Sequence, residues 1–355
     1  MKKRKLAAAI LALCLIPSLF AGCQGGDGGK DGQESTHVVV DSVGREVELP
    51  NPVSEAVLAN NYTASFVRAI GAQDAVVGID EMTFNDKDMW GDFPEDKLIG
   101  KGQKELNYEK IIELNPQVLI MPSNGTLTEA EEKLEPFGIK VFALDTYYTD
   151  QFSDNCDRIG AVFGKEKEAE ELKHFFLDKV EYINKQLEGV EKKRVYFEDG
   201  SDFVTTVPGS FFFNMVEYAH ADNVFKEATG TKIESEAVIN ANPDYIYKIS
   251  SKFGGVSTKY TPPTQEQYQQ ALADIKGRAG WDEINAVKND NILLLTNYAH
   301  SGGSKLIATF YLAKFLYPEQ LPELHPEDIL KEWFEKYQGL EYIPGHSYPS
   351  YELGQ

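Results

Sequence analysis

Short runs of asparagine, tyrosine, serine and histidine follow several apolar segments of this 355-residue chain, and they are its best-equipped chemistry. They are Asn60, Asn61 and Tyr62; Ser123 and Asn124; Tyr147 and Tyr148; Asp199, Gly200 and Ser201; and Asn297, Tyr298 and His300. Amides and hydroxyls both donate and accept hydrogen bonds, so such a set suits a polar rim. Tyrosine adds a ring face for a macrocycle or, as phenolate, an oxygen for a ferric centre. His300 beside a tyrosine can ligate haem iron. Residues 301–304, Ser-Gly-Gly-Ser at a helix start, can instead cradle a small oxyanion through backbone N–H groups. Each candidate also has a plain structural use. Asn60 or Asn61 can cap a helix starting near Tyr62, Ser301 can cap one ahead of Lys305, and Tyr147 and Tyr148 can be loop packing.

Catalysis finds less support. G-x-S-x-G, the P-loop pattern and H-E-x-x-H are absent from the sequence. Carboxylates abound without a pairing that spacing reveals, which leaves a carboxylate-dependent hydrolase as the rival reading. The six histidines are dispersed, against a dedicated zinc site, and any metal ligand set is unknown.

The elements that must position these residues alternate in type. Residues 56–59, 75–79, 117–121 and 140–144 read as strands, with helices over 63–70, 108–114 and 127–137 between them. After residue 190 the alternation resumes: strands over 194–197, 244–249 and 292–295, helices over 213–219, 235–240 and 305–316. Residues 205–213 lead into one of these helices and can wall a cleft. Such alternation implies mostly parallel sheets with helices on their faces. In open sheets of that kind ligands bind beyond the carboxyl ends of the strands, where the candidates fall.

Residues 165–189 differ. Leu172, Phe175, Phe176, Val180, Ile183 and Leu187 recur at helical spacing with no Gly or Pro before the end, and Glu181 lies four residues before Lys185. Over some twenty residues such a helix spans about 35 Å, the width of a small domain. The expected fold is α/β: two Rossmann-like lobes bridged by a single long α-helix. The boundaries are 37–164 for the first lobe, 165–190 for the helix, 191–338 for the second lobe and 339–355 for a tail.

Two windows repeat across the lobes. Glu109, five residues, Asn115-Pro116, one residue and an apolar run recur as Glu236, five residues, Asn242-Pro243, one residue and an apolar run. Proline ends a helix and biases its predecessor to extended backbone, so helix, stop and strand are ordinary. The shared glutamate offset is not required by that chemistry and marks an internal repeat.

Composition narrows the class. With 35 basic and 56 acidic side chains the net charge is −21, which repels phosphate backbones and argues against nucleic acid. Lys2, Lys3, Arg4 and Lys5 precede a short apolar run over 6–21, the pattern of a secretory signal peptide. The run ends Leu19-Phe20-Ala21-Gly22-Cys23, small residues before a cysteine, which resembles a bacterial lipoprotein processing box with Phe20 in place of the usual leucine. Residues 24–36 then form a Gly-rich tether. Removing 1–23 leaves 31 basic against 56 acidic residues, a mature charge of −25. Cys14 leaves with the signal and Cys23 is expected to carry lipid, so Cys156 remains alone without a disulfide partner.

Several ordered pieces carry a family resemblance: Asp41-Ser-Val-Gly-Arg45-Glu-Val-Glu-Leu-Pro50, Ala69-Ile-Gly-Ala-Gln-Asp-Ala-Val-Val-Gly78, Asn107-Tyr-Glu109 with Asn115-Pro116, Asn242-Pro243-Asp244, and Trp281-Asp-Glu-Ile-Asn-Ala-Val-Lys-Asn-Asp290. Across nearly all of 37–338 the chain resembles the substrate-binding lipoproteins of bacterial ABC importers for iron complexes (siderophore or haem) and cobalamin. The resemblance implies a monomer on the outer face of a cell membrane, held by its lipid, that captures a metal chelate or corrinoid and needs no cofactor of its own. It implies a permease and its ATPase as partners. It also implies that Glu109 and Glu236, one per lobe, dock onto permease arginines. These strand ends carry little positive charge: the mature arginines are Arg45, Arg68, Arg158, Arg194 and Arg278, none at an expected strand end. An anionic siderophore would want several cations, which keeps molybdate-like oxyanions, cradled by backbone, as the alternative cargo.

Overall fold

The computed structural model describes residues 35–351 except 124–125, 211, 251, 254–255, 258–259 and 300–304. Ser35–Gln355 forms one compact unit. Cys23, Asn124, His300 and residues 301–304 lie outside the described residues.

The chain opens with β1 (Thr36–Val40) and β2 (Glu46–Pro50), an antiparallel hairpin. Asp41 closes its turn, accepting from the Val43 and Arg45 backbone and from the Arg45 guanidinium. Next come β3 (Ala56–Leu58), α1 (Asn61–Ala69), β4 (Val76–Ile79), α2 (Glu81–Phe84) and α3 (Lys87–Trp90). A small antiparallel pair, β5 (Gly100–Gly102) and β6 (Glu105–Leu106), leads to α4 (Tyr108–Leu114), β7 (Val118–Met121), α5 (Leu127–Leu134) and β8 (Lys140–Ala143). Strands β4, β3, β7 and β8 form, in that order, a wholly parallel sheet. All four residues of β7 are fully buried, the continuous apolar run expected of a strand covered on both faces.

Two helices separate the sheets, α6 (Phe152–Phe163) and α7 (Glu166–Gln186). Gly164, in the left-handed region at φ 61°, caps α6 and turns the chain into α7. Gly160 lets the two helices meet: a Cβ there would stand 2.7 Å from Ala169 Cβ. Phe176 of α7 is a hub, with ring centroids 5.2 Å from Phe152, 5.5 Å from Trp333 and 6.4 Å from Phe310. The apolar stripe seen in the sequence thus packs against α6 on one side and the C-terminal helices on the other.

The second half runs β9 (Lys193–Glu198), α8 (Phe213–Tyr218), β10 (Ala221–Asn223), α9 (Ser235–Ala241), β11 (Tyr245–Ser250), the short pair β12 (Lys252–Phe253) and β13 (Val256–Ser257), α10 (Gln265–Lys276), α11 (Asn285–Lys288), β14 (Ile292–Thr296), α12 (Lys305–Leu316), α13 (Pro326–Glu332) and β15 (Ser347–Tyr348). The sheet order is β10-β9-β11-β14-β15, with β15 alone antiparallel. The segment expected as a tail therefore supplies an edge strand. Leu294 pairs with Tyr348 and Leu295 with Ser347, and Thr296 N–H donates to the His346 carbonyl. Two strand residues before Pro349 are too few to show a period in sequence.

Both Asn-Pro stops are left-handed, correcting the extended backbone expected of them. Asn115 (φ 48°, ψ 51°) and Asn242 (φ 42°, ψ 66°) are helix C-caps, each N–H donating back into its helix. Asparagine tolerates this region better than other side chains, and it satisfies carbonyls that the following proline cannot reach. The repeated offset thus encodes one geometry twice: a seven-residue helix with glutamate in its first turn, a left-handed Asn cap and a parallel strand.

Candidate functional site

Asn60 anchors the best-formed wall. Its Oδ1 accepts from Tyr62 N and Thr63 N at 3.0 and 3.2 Å, capping α1, while its Nδ2 donates to Tyr147 Oη at 2.7 Å and Gln103 Oε1 at 3.2 Å. The Tyr147 hydroxyl also donates to Gln103 Oε1, which closes a triangle of side chains. The capping use and the binding use of Asn60 are therefore compatible, since one amide serves both. Tyr62 and Tyr147 lie with ring centroids 5.0 Å apart. Together with Asn61, Asp80, Met82 and the β5–β6 hairpin, these residues line an open cavity of about 300 Å³. Burial pushes up both the Tyr147 hydroxyl and the Asp80 carboxyl, and Asp80 Oδ1 caps α2 by accepting from Thr83 N.

Lys305, the first residue of α12, reaches this wall from the second half of the chain. Only 3% exposed, it donates to the Tyr147 carbonyl at 2.6 Å and stands 4.3 Å from the Tyr62 ring centroid, 5.6 Å from that of Tyr147 and 5.3 Å from that of Phe212. Desolvation pulls its ammonium down to about 7. Phe212 belongs to the 205–213 stretch expected to wall the cleft, and it meets the cleft through this lysine. A second contact crosses at Tyr298, whose one O–H is shared between Asp86 Oδ1 at 3.0 Å and Asp88 Oδ2 at 3.1 Å.

Of the sequence candidates, the structure brings Asn60, Asn61, Tyr62 and Tyr147 onto one cavity, while Ser123, Tyr148, Asp199, Ser201, Asn297 and Tyr298 do not line it. Ser123 is bound to Asp145 through both N–H and Oγ. Asp199 folds into a turn, its N–H on the Val204 carbonyl and its Oδ1 accepting from Gly200 N. Sequence reading missed Gln103, Asp80 and Lys305. Only its place directly ahead of a largely apolar helix marked Lys305.

The expected scarcity of cations at strand ends also needs correction. At the end of β9 the buried Glu198 accepts from Arg278 Nη1 and Nη2 at 2.9 and 2.8 Å, Lys248 Nζ at 2.6 Å, Tyr196 Oη at 2.7 Å and Phe203 N at 3.0 Å. Arg278 arrives from beyond α10 and Lys248 from the middle of β11, so neither was visible from strand boundaries.

Glu109 and Glu236 are both exposed, in the first turns of α4 and α9.

Comparison with known proteins agrees with this architecture. The model of the periplasmic binding protein family matches residues 56–299. YvrC of Bacillus subtilis (strain 168), an uncharacterized ABC transporter substrate-binding lipoprotein, is 26% identical over 342 residues, covering 91% of this chain and 100% of its own. The molybdate-binding protein MolA of Haemophilus influenzae is 21% identical over 374 residues, covering 96% and 98%. The TroA-like periplasmic binding protein FepB of Veillonella parvula shares the fold, with a TM-score of 0.71 at 24% identity over 87% of this chain and 98% of its own. With a family match spanning most of both sheets, this chain is a member of the periplasmic binding protein family of ABC transporters.

Proposed function

We propose that this protein is a lipid-anchored, extracytoplasmic receptor, anchored through Cys23, that captures a metal chelate between two lobes joined by α7 and presents it as a monomer to a permease and its ATPase. An iron complex (siderophore or haem) or a cobalamin-type corrinoid is the cargo class, and the protein does no chemistry on it. The observation that carries this reading is the Asn60–Gln103–Tyr147 triangle with Tyr62, faced by Lys305 from across the cleft. Ring faces and amide edges suit a flat or folded chelate, and one buried ammonium suits a cargo with negative charge. Such a cargo parts the Lys305–Tyr147 and Tyr298–Asp86 contacts as it enters, because a macrocycle exceeds about 300 Å³.

One observation favours the second reading, a small oxyanion such as molybdate or tungstate. It fits a cavity of that size as it stands, with Lys305 as its cation, and MolA is named for molybdate.

Both readings predict that affinity for an anionic cargo falls as pH rises through about 7, because Lys305 loses its proton there. A titration at pH 6 and pH 8.5 tests this with Lys305→Met beside the parent. The parent is expected to bind on the order of tenfold more weakly at the higher pH, and the variant to show little pH dependence. An equal pH response in both proteins would remove Lys305 from the site.

A further inference from the structure

The hydrogen bonds of the Asn60 wall run in one direction, and a helix cap sets it. Asn60 Oδ1 accepts from the Tyr62 and Thr63 backbone at 3.0 and 3.2 Å. Backbone N–H groups can only donate, so the Asn60 amide cannot flip and its Nδ2 faces away from the helix. Both hydrogens of Nδ2 are engaged, on Tyr147 Oη at 2.7 Å and on Gln103 Oε1 at 3.2 Å. Tyr147, having accepted from Asn60, turns its own O–H to Gln103 Oε1.

Gln103 ends this relay. Its Oε1 accepts from both neighbours, which fills the carbonyl lone pairs and fixes which way round the amide lies. A flipped amide would set Nε2 against Asn60 Nδ2, donor against donor. Nε2 therefore points away from Asn60 and Tyr147, and among the described residues no bond uses its hydrogens. Gln103 lines the open cavity from the tip of the β5–β6 hairpin, where Thr126 Oγ1 donates to its carbonyl at 2.9 Å. Lys305 brings another group that can only donate. Of the carboxyls on the cavity, Asp80 Oδ1 is spent on Thr83 N at 2.8 Å, and the exposed Glu105 lies 3.3 Å from Lys101.

We propose that Gln103 Nε2 is the specificity-determining donor of the cargo site, selecting cargo that presents an acceptor oxygen: a carboxylate, a chelating oxygen or an oxyanion. Asn60 is a positioning residue, because its own amide has no hydrogen left for cargo. This inference rests on the reading of the cavity as the cargo site.

Binding of haem, cobalamin, ferric citrate and molybdate to the protein beginning at Gln24 tests it, read beside melting temperature. Gln103→Glu keeps Oε1 for Asn60 and Tyr147 and turns the donor into a second acceptor. It is expected to weaken the bound probe on the order of a hundredfold with melting temperature unchanged. Asn60→Asp keeps the helix cap but removes the donors, so Gln103 reverses and gives Nε2 inward. A loss of about tenfold or more is expected there. A probe that Gln103→Glu binds as well as the parent, while Asn60→Ala with Tyr147→Ala does not, would overturn this inference and leave the cargo site standing. No binding by the parent would remove the cargo site and this inference with it. The direction of the amide also has a readout without cargo. With glutamine side-chain amides isotopically labelled, the Gln103 signal is identified by its loss in Gln103→Glu. Its hydrogens are expected to exchange rapidly with water in the parent and more slowly in Asn60→Asp. A protected Gln103 amide in the parent would overturn the inference.

Discussion

Replacing Glu109 and Glu236 together by arginine is expected to abolish cargo uptake by cells while leaving cargo affinity intact. The two carboxylates sit at equivalent places, in the first turns of seven-residue helices that end in left-handed asparagine caps. They are exposed. A carboxylate so placed can take a guanidinium in a charge-assisted, bidentate pair. For the docking role that the resemblance implies, reversal turns each attraction into a like-charge contact costing several kcal/mol, an expected loss on the order of a thousandfold in uptake. The competing explanation is that each glutamate merely complements its helix dipole. That role is worth at most about 1 kcal/mol of stability per site and predicts normal uptake. Uptake of labelled cargo, read beside affinity and melting temperature of the same variant, separates the two.

Glu198→Ala is expected to destabilise the protein strongly. It strips a buried carboxylate from Arg278, Lys248, Tyr196 and the Phe203 amide, and leaves the largely exposed Asp202 as the carboxylate still paired with both cations. Breaking one side of such a buried arrangement costs about 3–5 kcal/mol, a large part of the roughly 5–15 kcal/mol that holds a domain folded. The same network sets a pH dependence. Burial alone would raise the Glu198 carboxyl, but the bonds and charges of Arg278 and Lys248 outweigh it and hold the group below its ordinary value of 4.5. A depressed folded-state value gives stability that is complete above about 4.5 and is lost as pH falls through the lower value. Urea midpoints at pH 7 and pH 3.5 should therefore converge between the parent and Glu198→Gln. A gap that is unchanged or wider at pH 3.5 would contradict the assignment.

The strands were legible because parallel strands buried on both faces are continuous apolar runs, as in Val118–Met121 and Ile292–Thr296. The stripe of α7 was legible through its period, and the start of α1 through Asn60. Among the helices that were not, α6 and α10 are the longest. In α6, Ser153, Asp154, Asn155 and Gly160 hide the helix, which is held by packing of Gly160 on Ala169 and of Phe152 on Phe176 rather than by propensity. In α10, glutamines fill the first turns, and the informative signal was the capping box of Thr264 and Gln267. The site was half legible for a related reason. Strand ends pointed to Asn60, Asn61, Tyr62 and Tyr147, which the local turns deliver to the cavity. Gln103 comes from a small hairpin, and Lys305 comes from a helix start far along the chain, so only tertiary packing brings them in.

The most direct test is a tryptophan-fluorescence titration of the protein beginning at Gln24, which retains the whole compact unit from Ser35. Trp90, Trp281 and Trp333 are the reporters, and Trp90 shares a short helix with Asp88, which accepts from Tyr298. The panel is haem, cobalamin, ferric siderophores and molybdate, with absorbance correction for the coloured compounds. The account predicts saturable binding of one compound, weakened by roughly thirtyfold or more in Asn60→Ala with Tyr147→Ala, as expected for central binding residues. No response across the panel, or a response the double variant leaves unchanged, would contradict a cargo held against the Asn60–Gln103–Tyr147 wall.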